Sequence, residues 1–337
     1  MQILNLFFGI ALFLFGMNLM SDHLKKIAGG KSEILLYKLT NKPLRGVLVG
    51  TAVTALIQSS SAVCAMVVGF AENSLISLKR AIAIILGSIF GTGITGWLIA
   101  YSSFEFGNTF AKLFSASVLS AVCAIAGIVL KLFIKNTKLK RIGEILLGFA
   151  VLMLGISTIT AAVAPLKENP VFLKSFVSVQ NPLLLVLIGT VFAALLQSAS
   201  AAVGILQTLS LTGLISLHAC AALLFGIGIG ASLPVLLVSV GKNTTAKQTA
   251  LSYLLADAIG AGIFSVLFYG IIAISELNTT QIIMSPLSIA IANTAYRFML
   301  VLLMFPFIPH LEKLCKRLVK CKNTDIMFQK EVNRGAN

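Results

Sequence analysis

The sequence predicts an all-α polytopic membrane protein. It reads as two inverted repeats, each with three transmembrane helices and one re-entrant helical hairpin, plus a final transmembrane helix. Three observations carry that prediction. Of the 337 residues 58% are hydrophobic and 11% charged, where a soluble domain carries about 25% charged residues. One constant offset aligns the two halves of the chain. Nearly all Lys and Arg fall into alternate loops.

The apolar segments of the first half run about 3–20, 44–71, 81–101 and 110–134. Those of the second run about 142–164, 183–212, 216–240 and 249–275, and a ninth covers about 286–309. Most are near the roughly 20 residues that a helix needs to cross hydrocarbon. The first has no basic stretch before it and no small-residue cleavage site after it, so it reads as a retained helix. The second segment of each half, at about 28 residues, is too long for a plain crossing and holds Gln and Ser at its centre.

Adding 139 to a position in the first half gives its partner in the second: Gln58-Ser59-Ser60-Ser61-Ala62 falls on Gln197-Ser198-Ala199-Ser200-Ala201. On the same offset Gly9 and Gly16 fall on Gly148 and Gly155, Gly50-Thr51 on Gly189-Thr190, and Gly87 and Gly91 on Gly226 and Gly230. An ungapped offset over that length indicates duplication. It divides the chain into repeats at 1–136 and 137–277, a final helix at 278–309 and a basic tail at 310–337, with hairpins about 44–71 and 183–212.

If the overlong segments enter and leave on one side, the basic loops share a face. Loops 21–45, 72–80, 131–141 and 241–249 and the tail then hold 22 of the 26 Lys and Arg. Loops 102–109, 213–217 and 276–285 hold none. The positive-inside rule places the basic loops and the C-terminus in the cytoplasm and the N-terminus outside, in a cell membrane. Three crossings per half invert the second copy, as in many secondary transporters. The same distribution accounts for the net charge of +15 without nucleic acid. Cys64, Cys123 and Cys220 sit in apolar segments as small hydrophobes. Cys315 and Cys321 lack further ligands at zinc spacing. No nucleophile–base pair stands out, so the sequence points away from an enzyme.

Hairpin tips at Gln58–Ser61 and Gln197–Ser200 would leave free N–H groups at the start of each returning half-helix, dipole end toward the midplane. Ser hydroxyls donate to an anion or ligate Na⁺, and a Gln carbonyl can do the latter. One Ser-rich stretch alone is ordinarily packing glue; twin copies at equivalent positions favour a site. Around the tips, Thr51 and Thr190 are further candidates. The Gly-rich stretches 87–93 and 226–232 are either packing faces or unwound segments in which Thr92, Thr95 and Ser232 offer oxygens. Asp257 is the acidic residue well inside a crossing; such a carboxylate holds Na⁺ or H⁺, or pairs with the intramembrane Arg297. His218 reads as an exterior loop cap.

The paired Gln-Ser-Ser-Ser and Gln-Ser-Ala-Ser tips, each followed by a Gly-rich stretch, resemble the sodium-dependent phosphate cotransporter family, over about residues 3–314. The resemblance implies a compact bacterial member without a PhoU-like domain, whose hairpins hold phosphate and Na⁺ and move against a scaffold. It places the substrate and sodium site at Gln58, Ser59, Ser60, Ser61, Gln197, Ser198 and Ser200, with Na⁺ near Gln58, Gln197, Ser61 and Ser200. Its partners are inorganic phosphate, Na⁺ as coupling ion and the lipid bilayer, with no other cofactor; a homodimer is compatible with it. The family's Gly-rich Asn is missing from both copies, one tip serine is Ala199, and Asp257 stands where the family often has Asn. The coupling ion therefore stays open between Na⁺ and H⁺.

Overall fold

The computed structural model describes residues 2–38, 40, 42–102, 116–163, 181–275 and 278–320. They form helices α1 (Gln2–Lys38), α2 (Pro43–Ile57), α3 (Ser60–Glu72), α4 (Leu78–Gly91), α5 (Gly93–Ser102), α6 (Ala116–Phe133) and α7 (Thr137–Val163). The second half supplies α8 (Pro182–Leu196), α9 (Ala199–Ser210), α10 (Leu217–Val238), α11 (Thr244–Ser275), α12 (Pro286–Met304) and α13 (Ile308–Leu318). Among the described residues there is no strand, only a bridge between Ser216 and Ile283. Among the described residues six stretches are long and apolar enough to span a membrane: Leu4–Ala28 of α1, Leu78–Tyr101 through α4 and α5, and α7, α10, α11 and α12. The helices α2, α3, α8 and α9 are shorter and apolar.

Helix is the expected solution, because hydrocarbon offers backbone groups no partners and a helix satisfies them internally. Side-chain placement follows the same solvent. Leu183, Leu187, Val191 and Leu195 recur every four residues on α8 and stand exposed, Leu183 at 80% and Leu195 at 77%. Leu185, Gly189 and Ala193 lie on the buried side of that helix. In water so regular an apolar stripe would be a liability; against lipid it is ordinary solvent contact.

The two halves repeat one contact. Helix α2 packs on α4, and α8 on α10, closely enough that an added Cβ at Gly87 would overlap the Val47 carbonyl oxygen and one at Gly226 the Val186 carbonyl oxygen. Thr51 and Thr190 span these seams, donating to Gly87 O at 3.0 Å or to Val47 O at 2.9 Å, and to Gly226 O at 3.1 Å or to Val186 O at 2.8 Å. Small residues let the backbones approach, and a hydroxyl adds a hydrogen bond across. The Gly-rich stretches are therefore packing faces. The alternative of an unwound segment is not realised: Thr92 keeps helical dihedrals between α4 and α5, and 226–232 lies within the unbroken α10.

Two boundaries differ from the sequence expectation. The basic loop 21–45 is largely helix: α1 runs on through Gly29-Gly30 to Lys38, and the first Pro is Pro43. The tail begins with an amphipathic helix, α13, which buries Ile308, Leu311 and Cys315. The start of segment 110–134 and nearly all of loop 165–182 lie outside the described residues.

Loop contacts fall into separate groups. His23 pairs with Glu144, which also meets Lys131 at 3.2 Å, and Arg141 donates to Lys26 O at 2.6 Å. Lys242 pairs with Glu72, Asn243 donates to Glu72 O at 2.6 Å, and Gln248 donates to Val319 O at 2.8 Å. The loops without Lys or Arg meet each other: Leu217 N–H donates to Ile282 O at 2.7 Å, and Met284 N–H to Ile215 O at 2.8 Å. His218 stands beside this junction, its ring 4.9 Å from that of Tyr269.

Candidate functional site

Each Gln-Ser break is built the same way. Helix α2 ends at Gln58 with φ 59°, and α8 at Gln197 with φ 53°. Left-handed backbone disfavours a side chain by about 1–2 kcal/mol, and glycine usually fills it at a helix end. Two glutamines hold it here, so a side chain is kept where the backbone would prefer none. Backbone strain of this kind gathers at functional sites. The next residue starts a new helix: Ser59 Oγ accepts from Ala62 N–H at 3.3 Å, and Ser198 Oγ from Ala201 N–H at 3.2 Å. A helix stops and another begins within two residues, which gives each break a fixed shape.

The breaks touch. Ser200 Oγ donates to Gln58 O across 3.5 Å and lies 3.2 Å from Ser198 Oγ. Helix α1 closes one side, with Ser21 Oγ donating to Ile57 O at 2.9 Å and Met17 Sδ 3.8 Å from Ser200 Oγ. The Gln58 side-chain oxygen is buried without a hydrogen-bond partner. Gln197 is exposed, while Ser59, Ser61 and Ser198 are half-buried. Gln58, Ser59, Gln197, Ser198 and Ser200 are thus gathered at one junction, with Ser61 in the first turn of α3.

The junction is asymmetric. Behind the first break, Thr54 and Ser88 hydroxyls meet at 2.7 Å, Ser88 Oγ donates to Ser60 O at 3.5 Å, and Tyr253 OH donates to Ser60 Oγ at 3.4 Å. Adding the 139-residue offset turns Thr54, Ser60 and Ser88 into Ala193, Ala199 and Ile227, all buried. A hydroxyl at 199 would face apolar neighbours, which accounts for the departure at Ala199.

The remaining candidates scatter. Thr51 and Thr190 stand two turns before their glutamines, about 10 Å along the axis, and serve the helix seams. Thr92 donates to Ser88 O at 3.0 Å, and Ser232 to Ile229 O at 2.7 Å. Thr95 Oγ1 is buried and unpartnered. Asp257 is fully buried, and neither carboxylate oxygen has a partner. It lies one turn beyond Tyr253 on α11 and faces Gly228, where an added Cβ would sit 3.4 Å from Oδ1. Among the described residues no ion pair joins it to Arg297, so the expected pairing alternative is not realised as a contact.

Sequence reasoning missed Ser88, Tyr253, Asn293 and Tyr296, which surround these groups. Tyr253 and Asp257, and Asn293 and Arg297, are i,i+4 pairs inside crossings, a spacing that puts them on one helix face. That spacing was the available signal. If the glutamines are kept for their side chains, the Gln58→Gly, Gln197→Gly double variant should melt no earlier than the wild type, up to about 1 kcal/mol more stable, yet fail to transport. A marked drop in melting temperature would count against this account of the strain.

Apolar spans around a buried polar junction, built from broken helices, define a polytopic membrane protein. The Na⁺/Pi-cotransporter family model matches residues 12–161. Over 327 residues, 95% of this chain, the sequence is 26% identical to the putative inorganic phosphate export protein YjbB of Escherichia coli K12. It is 29% identical to the uncharacterized protein YqeW of Bacillus subtilis over 255 residues, 75% of this chain and 78% of that one. A stretch of 95 residues, 27% of this chain and 14% of the other, is 32% identical to human sodium-dependent phosphate transport protein 2B. Over these stretches the chain is similar to the Na⁺/Pi cotransporters. It spans about half the length of the YjbB proteins, 56%. No solved structure matches the chain.

Proposed function

We propose that the chain is a secondary active transporter that moves inorganic phosphate together with Na⁺ by alternating access. The observation that carries this reading is the junction of the two Gln-Ser breaks, where Ser200 reaches the Gln58 carbonyl. In this account residues 1–136 and 137–277 are inverted repeats, and their hairpins enter from opposite faces and meet near the midplane. The basic segments lie in the cytoplasm. The separate clustering of the basic loops and the loops without Lys or Arg supports that sidedness. Phosphate sits at the tips on free N–H groups and Ser hydroxyls, with Gln58, Gln197, Ser61, Ser200 and Asp257 offering oxygens to Na⁺. Pairing the anion with a cation lowers its desolvation penalty.

The first test is ³²P-phosphate uptake into proteoliposomes under an imposed sodium gradient, with sulfate and arsenate as competitors. The Ser60→Ala, Ser198→Ala pair should lose sodium-driven uptake while still folding, the lost cap at 198 costing about 1 kcal/mol. Normal uptake by a folded double variant would sink the site assignment. No sodium-dependent phosphate flux by the wild type would sink the substrate.

A second reading keeps the fold and changes direction or ion. The YjbB proteins carry the name of a phosphate exporter, and Asp257 is a group that a proton could neutralise. It predicts phosphate movement driven by a pH gradient with sodium absent.

A further inference from the structure

Fully buried inside the membrane-spanning helices are an Asp and an Arg, Asp257 on α11 and Arg297 on α12. Opposite charges in a medium of low dielectric attract strongly, and a buried Asp and Arg ordinarily pair. Here they do not. Arg297 is held elsewhere: Nε–H donates to Asn293 Oδ1 at 2.9 Å, and Nη1 donates to Ile89 O at 3.2 Å. Its aliphatic stem crosses Gly93, where an added Cβ would lie 3.8 Å from Cδ. The guanidinium is therefore tethered beside α4, one residue from the Ser88 whose hydroxyl meets the first Gln-Ser break.

The buried atoms left without partners sort by chemistry. On α12 they are Arg297 Nη2 and Asn293 Nδ2, both donors; the Asn293 amide is fixed in that orientation because its oxygen accepts from Arg297. On α11 they are the two oxygens of Asp257, which accept or bind cations. Tyr296 OH, also unpartnered, is near Gly228 with Asp257, its ring packed by Phe225 and Phe264. Apart from the Tyr296 hydroxyl, which can donate or accept, the unpartnered groups of α12 are donors and those of α11 acceptors.

We propose that Asn293 and Arg297, which lie outside both repeats, form an oxyanion subsite that binds oxygens of the transported tetrahedral anion. This rests on the transport reading above and adds to it a fixed positive charge supplied by the protein. Arg offers a planar fork of donors suited to phosphate-type oxygens. Asp257 opposite remains free for the cation, so anion and cation occupy neighbouring places without the Asp and Arg neutralising each other.

The test is equilibrium binding of ³²P-phosphate to the purified full-length chain in detergent, at fixed saturating Na⁺. Arg297→Gln should raise the apparent Kd for phosphate roughly 10- to 100-fold, the loss of one charged hydrogen-bonding group. Arg297→Lys should fall between it and the wild type. The Na⁺ concentration for half-maximal effect at saturating phosphate should not move. A purely structural Arg297 predicts that phosphate and Na⁺ affinities fall together in Arg297→Gln; the subsite predicts that the phosphate Kd alone rises. An equal loss of both, or an unchanged phosphate Kd in Arg297→Gln, overturns the proposal. If Arg297→Gln does not fold, Asn293→Ala keeps the charge and decides the matter: a raised Kd supports the subsite and an unchanged one overturns it. A wild type that binds sulfate or arsenate instead of phosphate ends the phosphate assignment, and the same variants then judge the subsite on that anion. A wild type that binds none of the three overturns both.

Discussion

Replacing Asp257 with Asn is expected to leave a folded protein that no longer couples phosphate movement to a cation gradient. The carboxylate is fully buried, and both its oxygens lack hydrogen-bond partners. An uncompensated buried charge destabilises a protein, so removing it with an isosteric amide should hold or raise the melting temperature. Cation-driven uptake should fall on the order of 100-fold, the loss of one strong charge-assisted contact. Opposite signs for stability and transport mark a residue retained for function. A variant that lost sodium-driven uptake only by unfolding would refute this role, as would one with full uptake. Proteoliposome flux at several pH values separates the ions: lost pH dependence with retained sodium drive makes Asp257 accessory, and loss of all drive points to proton coupling.

The largest stability effect is expected at the helix seams. Gly226→Leu would push a side chain into the Val186 carbonyl and the Thr190 backbone, and would break the contact from Thr190 Oγ1 to Gly226 O at 3.1 Å. Backbone cannot step aside as a side chain can, so a loss of about 3 kcal/mol or more is expected. Gly87→Leu should behave alike, through Val47. Gly262→Leu is the control: a Cβ there meets nothing within 4 Å, and a better helix former replaces glycine. Thermal melts in detergent compare the three. Equal melting temperatures for Gly226→Leu and Gly262→Leu would contradict the close seam.

Much of the architecture was legible because the membrane is a simple solvent. Apolar length and the scarcity of charge gave the spans. The offset from Gln58 to Gln197 located two equivalent breaks, and both have the same left-handed glutamine followed by a capping serine. The reading of Thr51 and Thr190 as ion ligands did not anticipate their place at the seams. Sequence spacing reports which residues share a helix face, and it does not report which face meets a neighbouring backbone. The Gly-rich stretches had two readings for the same reason, and the close approach of α2 to α4 and of α8 to α10 selects packing.

What the sequence determined by itself is the class of molecule, the constant offset between matching residues of its two halves, and the two breaks at Gln58 and Gln197. Each follows from local pattern: hydropathy sets the solvent, and repetition survives as matching residues. Tertiary structure alone decided that the breaks touch through Ser200 and Gln58, that only the first has polar support from Thr54, Ser88 and Tyr253, and that Asp257 and Arg297 stand buried but apart. These relations join residues up to about 200 positions distant (Ser60 with Tyr253, Ile89 with Arg297). Only the packing of helices from both halves sets such distances, because the burial that isolates a polar group from water is a property of the assembled bundle.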